Sequence, residues 1–260
     1  MEHGGGLTAR RRVRAILFGL AVAGSASSSE RVKRLDIVDR AIEFHGGDIY
    51  TSSETSLDLC SKSGCFGVVA RIDGGLFDLS VTRADPSLRI RLTNQKLERW
   101  LEEEAFPVPP EEQERWRDYV FERVYFPFLP FRLNDPSVYK EDLGLVHWGG
   151  RELHKVKVSF EPMSPGDATD EYAYWFDPDT AQLVLFAYSY EGNPGGLRFR
   201  KAFNYRRVGG ILFFDQENLG VDIEGLSVDQ IDERFVSERL RQISTVTLQN
   251  LQVRPLEAKE

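Results

Sequence analysis

The segment GGLRFRKAFNYRR, residues 195–207, sets five cationic side chains within thirteen positions of a chain whose formal net charge is −8. Arginine carries a planar fork of donors suited to carboxylate and phosphate oxygens, so the chemistry open to this stretch is recognition of an anionic group. Read as a strand, it alternates: Leu197, Phe199, Phe203 and Tyr205 point one way, and Arg198, Arg200, Asn204 and Arg206 the other. An Arg row and a Phe row on one strand line a common cavity only where a bulge or a barrel rim intervenes. If Gly209-Gly210 is a two-residue hairpin loop, Asn204 faces Asp215, Ala202 faces Glu217, and Arg200 and Arg206 lie diagonal to those carboxylates. Two carboxylates do not satisfy every cation in the row. The remaining guanidinium groups are either solvated or available to a head group.

Histidine and cysteine offer the other reactive groups. His45 falls in the last turn of an expected helix, where the dipole favours an imidazole; beside Asp48 or Glu171 it would instead be a general acid or base, or a ligand contact. His147 and His154 are seven residues apart with Glu152 between them, which is not a usual metal spacing. The chain has no G-x-S-x-G elbow, H-E-x-x-H, P-loop or G-x-G-x-x-G after a strand, so neither a catalytic residue, a cofactor nor a metal is expected. Cys60 and Cys65 flank the turn sequence Ser61-Lys62-Ser63-Gly64. A disulfide across a hairpin tip is the expectation, with buried free thiols as the alternative.

The elements that must position these groups begin after a leader. Arg10, Arg11, Arg12 and Arg14, then the apolar run Ala15–Ala23 and small residues to Ala26, have the layout of a secretory signal cleaved after Ala23 or Ala26. Nine apolar residues fall short of the roughly 20 that span a bilayer. Without residues 1–26 the net charge moves from −8 to −11, which argues against nucleic acid as a partner. An exported, periplasmic or secreted protein without a transmembrane segment is expected, as one domain over residues 27–260.

From Ser29, Leu35, Val38, Ile42 and His45 recur at helical steps until Gly46-Gly47. Strands are expected over 49–59, 65–73, 76–83 and 88–93, then helical composition over Leu97–Ala105 and Pro110–Phe126. Residues 119–133, YVFERVYFPFLPFRL, form a bent apolar segment because Pro127 and Pro130 forbid a continuous helix. It either fills the core or covers an apolar cavity. Strands follow over 153–160, 171–176, 182–190, 197–207, 211–219 and 233–253.

The stretches AIEFHGGDIY (41–50), YFPFLPFRLNDPSV (125–138), KVKVSFEP (155–162), DEYAYWFDPDTAQLVLFAYSY (170–190), GGLRFRKAFNYRRVGGILFFD (195–215) and ISTVTLQNLQV (243–253) resemble an uncharacterised family of exported bacterial proteins. That family is similar in outline to the lipoprotein-carrier group of LolA, LolB and LppX. The resemblance covers nearly the whole chain after the leader. It implies a mainly β (α+β) fold: a strongly curved antiparallel half-barrel, with an N-terminal helix and a central helical insertion packed on its concave side.

A non-enzymatic protein binding an apolar or amphipathic, lipid-like ligand is therefore expected. Tyr125, Phe126, Phe128, Phe131, Trp175 and Phe199 would meet the apolar part, Arg198, Arg200 and Arg206 the head group, and His45 would lie nearby. The alternatives are an envelope assembly module working through a protein partner, and a hydrolase-like enzyme using His45.

Overall fold

The computed structural model describes residues 35–73, 75–84, 87–135, 137–160, 171–190, 196–221, 223 and 225–257. The expected leader, residues 1–26, lies outside the described residues. Helix α1 (Asp36–His45) starts with Asp36 and Asp39 in its first turn, where acids favour the helix dipole, and buries the stripe Ile37, Val38, Ala41 and His45. The Gly46 N–H reaches back to Ile42 and Glu43 and ends it, as the Gly-Gly pair predicts. A short α2 (Ile49–Ser52) leads into the sheet.

Strands β1 (Ser53–Ser61), β2 (Gly64–Asp73), β3 (Leu76–Arg83), β4 (Leu88–Thr93), β5 (Leu97–Leu101) and β6 (Glu104–Ala105) make one meander. Helix α3 (Pro110–Tyr125) and two 3-10 turns, Phe126–Phe128 and Phe131–Asn134, separate it from a second. That one comprises β7 (Val138–Trp148), β8 (Arg151–Phe160), β9 (Glu171–Phe176), β10 (Leu183–Tyr190), β11 (Gly196–Val208) and β12 (Ile211–Gly220). After α4 (Arg234–Ser237), β13 (Arg241–Pro255) runs between β1 and β12 and unites the meanders into one 13-stranded antiparallel sheet, open between β6 and β7.

Two ring contacts show that this sheet is bowed. Phe121 of α3 packs on Phe77 of β3 and Phe126 on Phe186 of β10, with centroids 6.0 and 5.7 Å apart. A flat sheet would separate β3 from β10 by six strand spacings, roughly 29 Å, whereas five helical residues advance roughly 7.5 Å. The strands must therefore curve around α3. The fold is the expected half-barrel with α1 and the central helical segment on its concave side.

Three apolar clusters hold it. On the concave side, α1 and the turn after α3 pack on β7–β12 through Tyr172, Tyr174, Phe176, Phe186 and Phe126, while α3 packs on β1–β5 through Val120, Phe121, Leu79 and Ile90. The third cluster lies on the opposite face of β8–β11, where Trp175, Phe199 and Leu185 are covered by Val228, Ile231 and Val236. Each such large side chain contributes roughly 1.5–3 kcal/mol on burial. Lys155 anchors the cover by donating to Asp232 Oδ1 at 3.0 Å and the Asp229 carbonyl at 2.8 Å, and Trp175 Nε1 donates to Asp232 Oδ2 at 3.0 Å.

Four segments differ from the sequence reading. Residues 49–52, expected as the start of a strand, form α2, because the Asp48 carbonyl accepts the Thr51 and Ser52 N–H groups. Residues 97–105 are strands, not helix: the Leu- and Glu-rich composition yields to cross-strand pairs with β4, among them Arg91 with Glu98 and Arg89 with Trp100, whose ring lies 4.0 Å beneath the guanidinium. β7 escaped notice because a bulge between Asp142 and Gly144 breaks its alternation. The last strand starts at Arg241, eight residues later than expected, because the chain before it forms the cover.

Candidate functional site

The loop Gly209-Gly210 has two residues, as expected, and both lie in the left-handed region (φ 54° and 92°). At φ 92° position 210 favours glycine, and a Cβ there would also press on the end of the Ile49 side chain of α2. Val208 faces Ile211 and Arg206 faces Phe213. Beyond them the ladder slips by one at Asn204 (φ 51°), and Phe203 faces Asp215, Ala202 faces Gln216 and Lys201 faces Glu217. The expected pairs of Asn204 with Asp215 and Ala202 with Glu217 are thus corrected by a bulge. Asn204 still donates its side-chain N–H to Asp215 Oδ2 at 2.7 Å.

The bulge splits the arginine row. Ala202 and Tyr205, three apart, share the concave cluster, so the alternation reverses between them. Arg198 and Arg200 turn toward the concave side. Arg206 leaves their company and donates to Asp215 Oδ1 at 2.9 Å and to the Leu248 carbonyl. The expected single face of Arg198, Arg200 and Arg206 is not what forms.

Arg198 and Arg200 instead line a hollow of about 180 Å³ beneath the end of α3. Its floor crosses six consecutive strands through Phe66, Leu59 and Ser61, Val246, Gln216, the two arginines and Tyr188, and its roof is Glu122, Arg123 and Phe126. Leu59, Phe66, Phe126 and Val246 supply apolar wall; three guanidinium groups supply charge.

Two of those cations lie against aromatic rings. Arg200 lies 4.9 Å from the Phe126 centroid and 5.6 Å from that of Tyr188, and donates to Gln216 Oε1 at 2.8 Å and Tyr188 Oη at 3.0 Å. Arg123 lies 3.5 Å over Tyr119 and 4.5 Å over Phe66, and donates to the Tyr119 carbonyl at 2.8 Å. Burial holds the Arg123 guanidinium below the usual arginine range, against the opposing pull of Tyr119 and Glu122. Its carboxylate contact is Glu122 at 3.8 Å. Among the described residues Arg200 has no carboxylate partner, and the Nε–H groups of Arg123 and Arg200 are buried without a hydrogen bond.

The other expected site residues lie elsewhere. Tyr125 donates or accepts a 2.6 Å hydrogen bond with Tyr174 Oη inside the filled core, and burial drives both phenols upward in pKa. Phe128 is packed against Tyr50, and Phe131 stacks on Tyr50 at 4.6 Å. Trp175 and Phe199 meet at 5.7 Å on the opposite face of the sheet, under the cover. Phe131 also borders a second hollow, about 360 Å³, whose carboxylates Asp39, Glu43 and Asp48 set it apart from the cationic one. Among the described residues no group of three His, Cys, Asp or Glu side chains is placed to hold a metal ion.

His45 is fully buried between Phe44 and Phe214, and its Nε2 accepts the Leu183 N–H at 3.1 Å. Burial lowers its pKa to about 4, opposed by a backbone contact to Leu212 and aided by Arg207. Neither Asp48 nor Glu171 bonds to the ring among the described residues, so the imidazole ties α1 to β10 as a neutral clamp. Cys60 faces Cys65 across the β1–β2 tip and the two form a disulfide, with Cα atoms 4.0 Å apart. That tip carries Leu59, Ser61 and Phe66 into the wall of the cationic hollow.

Of the residues expected at a ligand site, Phe126, Arg198 and Arg200 border this hollow, alongside Arg123, Phe66, Leu59, Tyr188, Gln216 and Val246, which the sequence reading did not single out. Arg123 had a signal, as one of two arginines, with Arg132, inside the aromatic segment 119–133. The rest come together only through strand order.

Among solved structures the chain is similar to a LolA superfamily protein from Nitrosomonas europaea, at 8% identity and TM-score 0.47, over 85% of this chain and 93% of that one. It is also similar to a DUF1329 family protein from Desulfovibrio piger, at 10% identity and TM-score 0.47, over 86% and 93%. A domain from Vibrio parahaemolyticus assigned to outer membrane lipoprotein sorting matches at 10% identity and TM-score 0.45, over 86% and 92%. No curated protein matches. The model of a family of unknown function, DUF6503, matches residues 77–247, more than half of the chain, and the chain belongs to that family.

Proposed function

We propose that this protein is a non-enzymatic binding protein for an amphipathic, lipid-like ligand, acting after export in the periplasm or outside the cell. One observation carries the reading: Arg123, Arg198 and Arg200 border the same concave hollow as Leu59, Phe66, Phe126 and Val246. A site with cations on one wall and apolar side chains on another suits a molecule divided in the same way. The hollow is smaller than the roughly 300–1,000 Å³ of most small-molecule sites. It takes a head group and the first carbons of a chain, and the remainder of a longer ligand lies along the rim.

Native mass spectrometry of gently purified protein, followed by a thermal-shift panel of anionic, neutral and cationic amphiphiles, tests this. A retained amphiphile, or stabilisation by the anionic members, is the expected result. Protein without any retained ligand, together with a Tm unmoved by every amphiphile, overturns the reading.

An envelope assembly module that binds a protein partner by strand addition draws on a different observation, the open edge at the 11-residue β7. The bulge at Gly144 and the charges of Glu141 and Asp142 on that strand work against such pairing. Cross-linking in intact cells separates the two readings, because an assembly module yields one dominant protein adduct whether or not amphiphile is bound.

A further inference from the structure

We infer that the head group seated in the cationic hollow is a phosphate monoester, held between Arg123 on the roof and Arg200 on the floor. This inference rests on the reading of that hollow as an amphiphile site and names the anion. The two guanidinium groups come from different layers, α3 and β11, and reach one space of about 180 Å³. Arg200 commits both terminal nitrogens to neutral acceptors, Gln216 Oε1 and Tyr188 Oη, and Arg123 commits one, Nη1, to the Tyr119 carbonyl. Each keeps a buried Nε–H without a partner. A buried donor left unbonded is costly, and both arginines that carry one border the same hollow.

A carboxylate offers two oxygens in one plane. A phosphate monoester offers three terminal oxygens arranged tetrahedrally, and a charge of about −1.5 to −2 at neutral pH. Three guanidinium groups and the Glu122 carboxylate, 3.8 Å from Arg123, border the hollow, and the excess of two positive charges is matched by that charge and not by a monoanion. Phe126 and Tyr188 beside Arg200, and Tyr119 and Phe66 beside Arg123, hold both guanidinium groups in place before the ligand arrives, so little side-chain freedom is lost on binding. The apolar wall, Leu59, Phe66 and Val246, then receives the first carbons of the ester's organic part. The same chemistry would admit free phosphate, and the experiment separates the two sources.

Titration calorimetry of the full-length protein with decyl phosphate, decanoate, decyl maltoside and inorganic phosphate decides the matter. At pH 7.5 decyl phosphate is expected to bind at least about tenfold more tightly than decanoate, and its advantage shrinks at pH 5.5, below its second pKa of about 6. Arg200→Gln brings the two affinities within about threefold of each other, and Arg123→Gln does the same from the other wall. Should either variant fail to fold, the pH dependence of the wild-type ratio carries the test alone. Equal affinity for decanoate and decyl phosphate, with no change in their ratio between the two pH values, overturns the phosphate inference and leaves amphiphile binding standing. Inorganic phosphate binding as tightly as decyl phosphate overturns the amphiphile reading instead. Binding of none of the four overturns both.

Discussion

Asp215 accepts from Asn204 across the β11 bulge at 2.7 Å and, through its other oxygen, from the Leu248 N–H at 2.8 Å and Arg206 at 2.9 Å. One nearly buried carboxylate thereby holds the bulge, the neighbouring strand β13 and the arginine that the bulge has turned aside. Without the bulge, Arg206 would share a side with Arg198 and Arg200. Asp215→Ala strands a partly buried cation and a buried backbone donor, and we expect a loss of about 3–5 kcal/mol of unfolding free energy. Urea unfolding measures it; a loss below about 1 kcal/mol would show that the bulge is held by other means.

His45 makes stability depend on pH. Its folded pKa of about 4 lies below the ordinary 6.5, so the unfolded chain takes up the proton first. The contribution is therefore complete above about pH 6.5 and is lost as pH falls toward 4, a total of about 3 kcal/mol. Denaturant titrations at pH 7.5 and 4.5 should show a steeper fall for the wild type than for His45→Gln. Equal slopes would mean that the imidazole is solvated.

Tyr125 and Tyr174 share a hydrogen bond in the filled core at 2.6 Å. Tyr125→Phe leaves the Tyr174 hydroxyl without its partner and is expected to cost about 1–3 kcal/mol. Replacing both by Phe recovers most of that loss, which a double-mutant cycle by thermal unfolding detects as a coupling of opposite sign. Additive losses would contradict the pairing.

The cover over the outer face depends on one buried ion pair. Among the described residues, Lys155→Met leaves Asp232 with Trp175 Nε1 as its donor, and about 3–5 kcal/mol is expected to be lost. Hydrogen exchange should quicken first over residues 226–240. Uniform loosening of the whole sheet would indicate that the cover and the sheet unfold together.

The disulfide ties strands that already pair, over a sequence separation of 5. Protein purified without reductant should gain the mass of two hydrogens on reduction and lose about 2 kcal/mol of stability. An unchanged intact mass would place free thiols at the tip.

Much of this architecture is written in local pattern. The runs 64–73, 76–83, 88–93 and 171–176 alternate or turn where their strands do, Gly46-Gly47 ends α1, and Gly209-Gly210 makes the two-residue loop, because each depends on neighbours a few residues away. LERWL reads as helix in isolation and becomes β5 once β4 lies beside it. The site depended on contacts of the same long-range kind. A single residue inserted at Asn204 takes Arg206 off the side that Arg198 and Arg200 share, and no periodicity in the sequence announces it. Likewise Arg123, Leu59 and Val246 are far apart in the chain and meet only because β13 slots between β1 and β12 and the sheet bows under α3. The sequence by itself determined that the chain would make hairpins with a cationic strand near the end. Tertiary structure alone decided which of those cations face the hollow, since that choice follows from register and curvature.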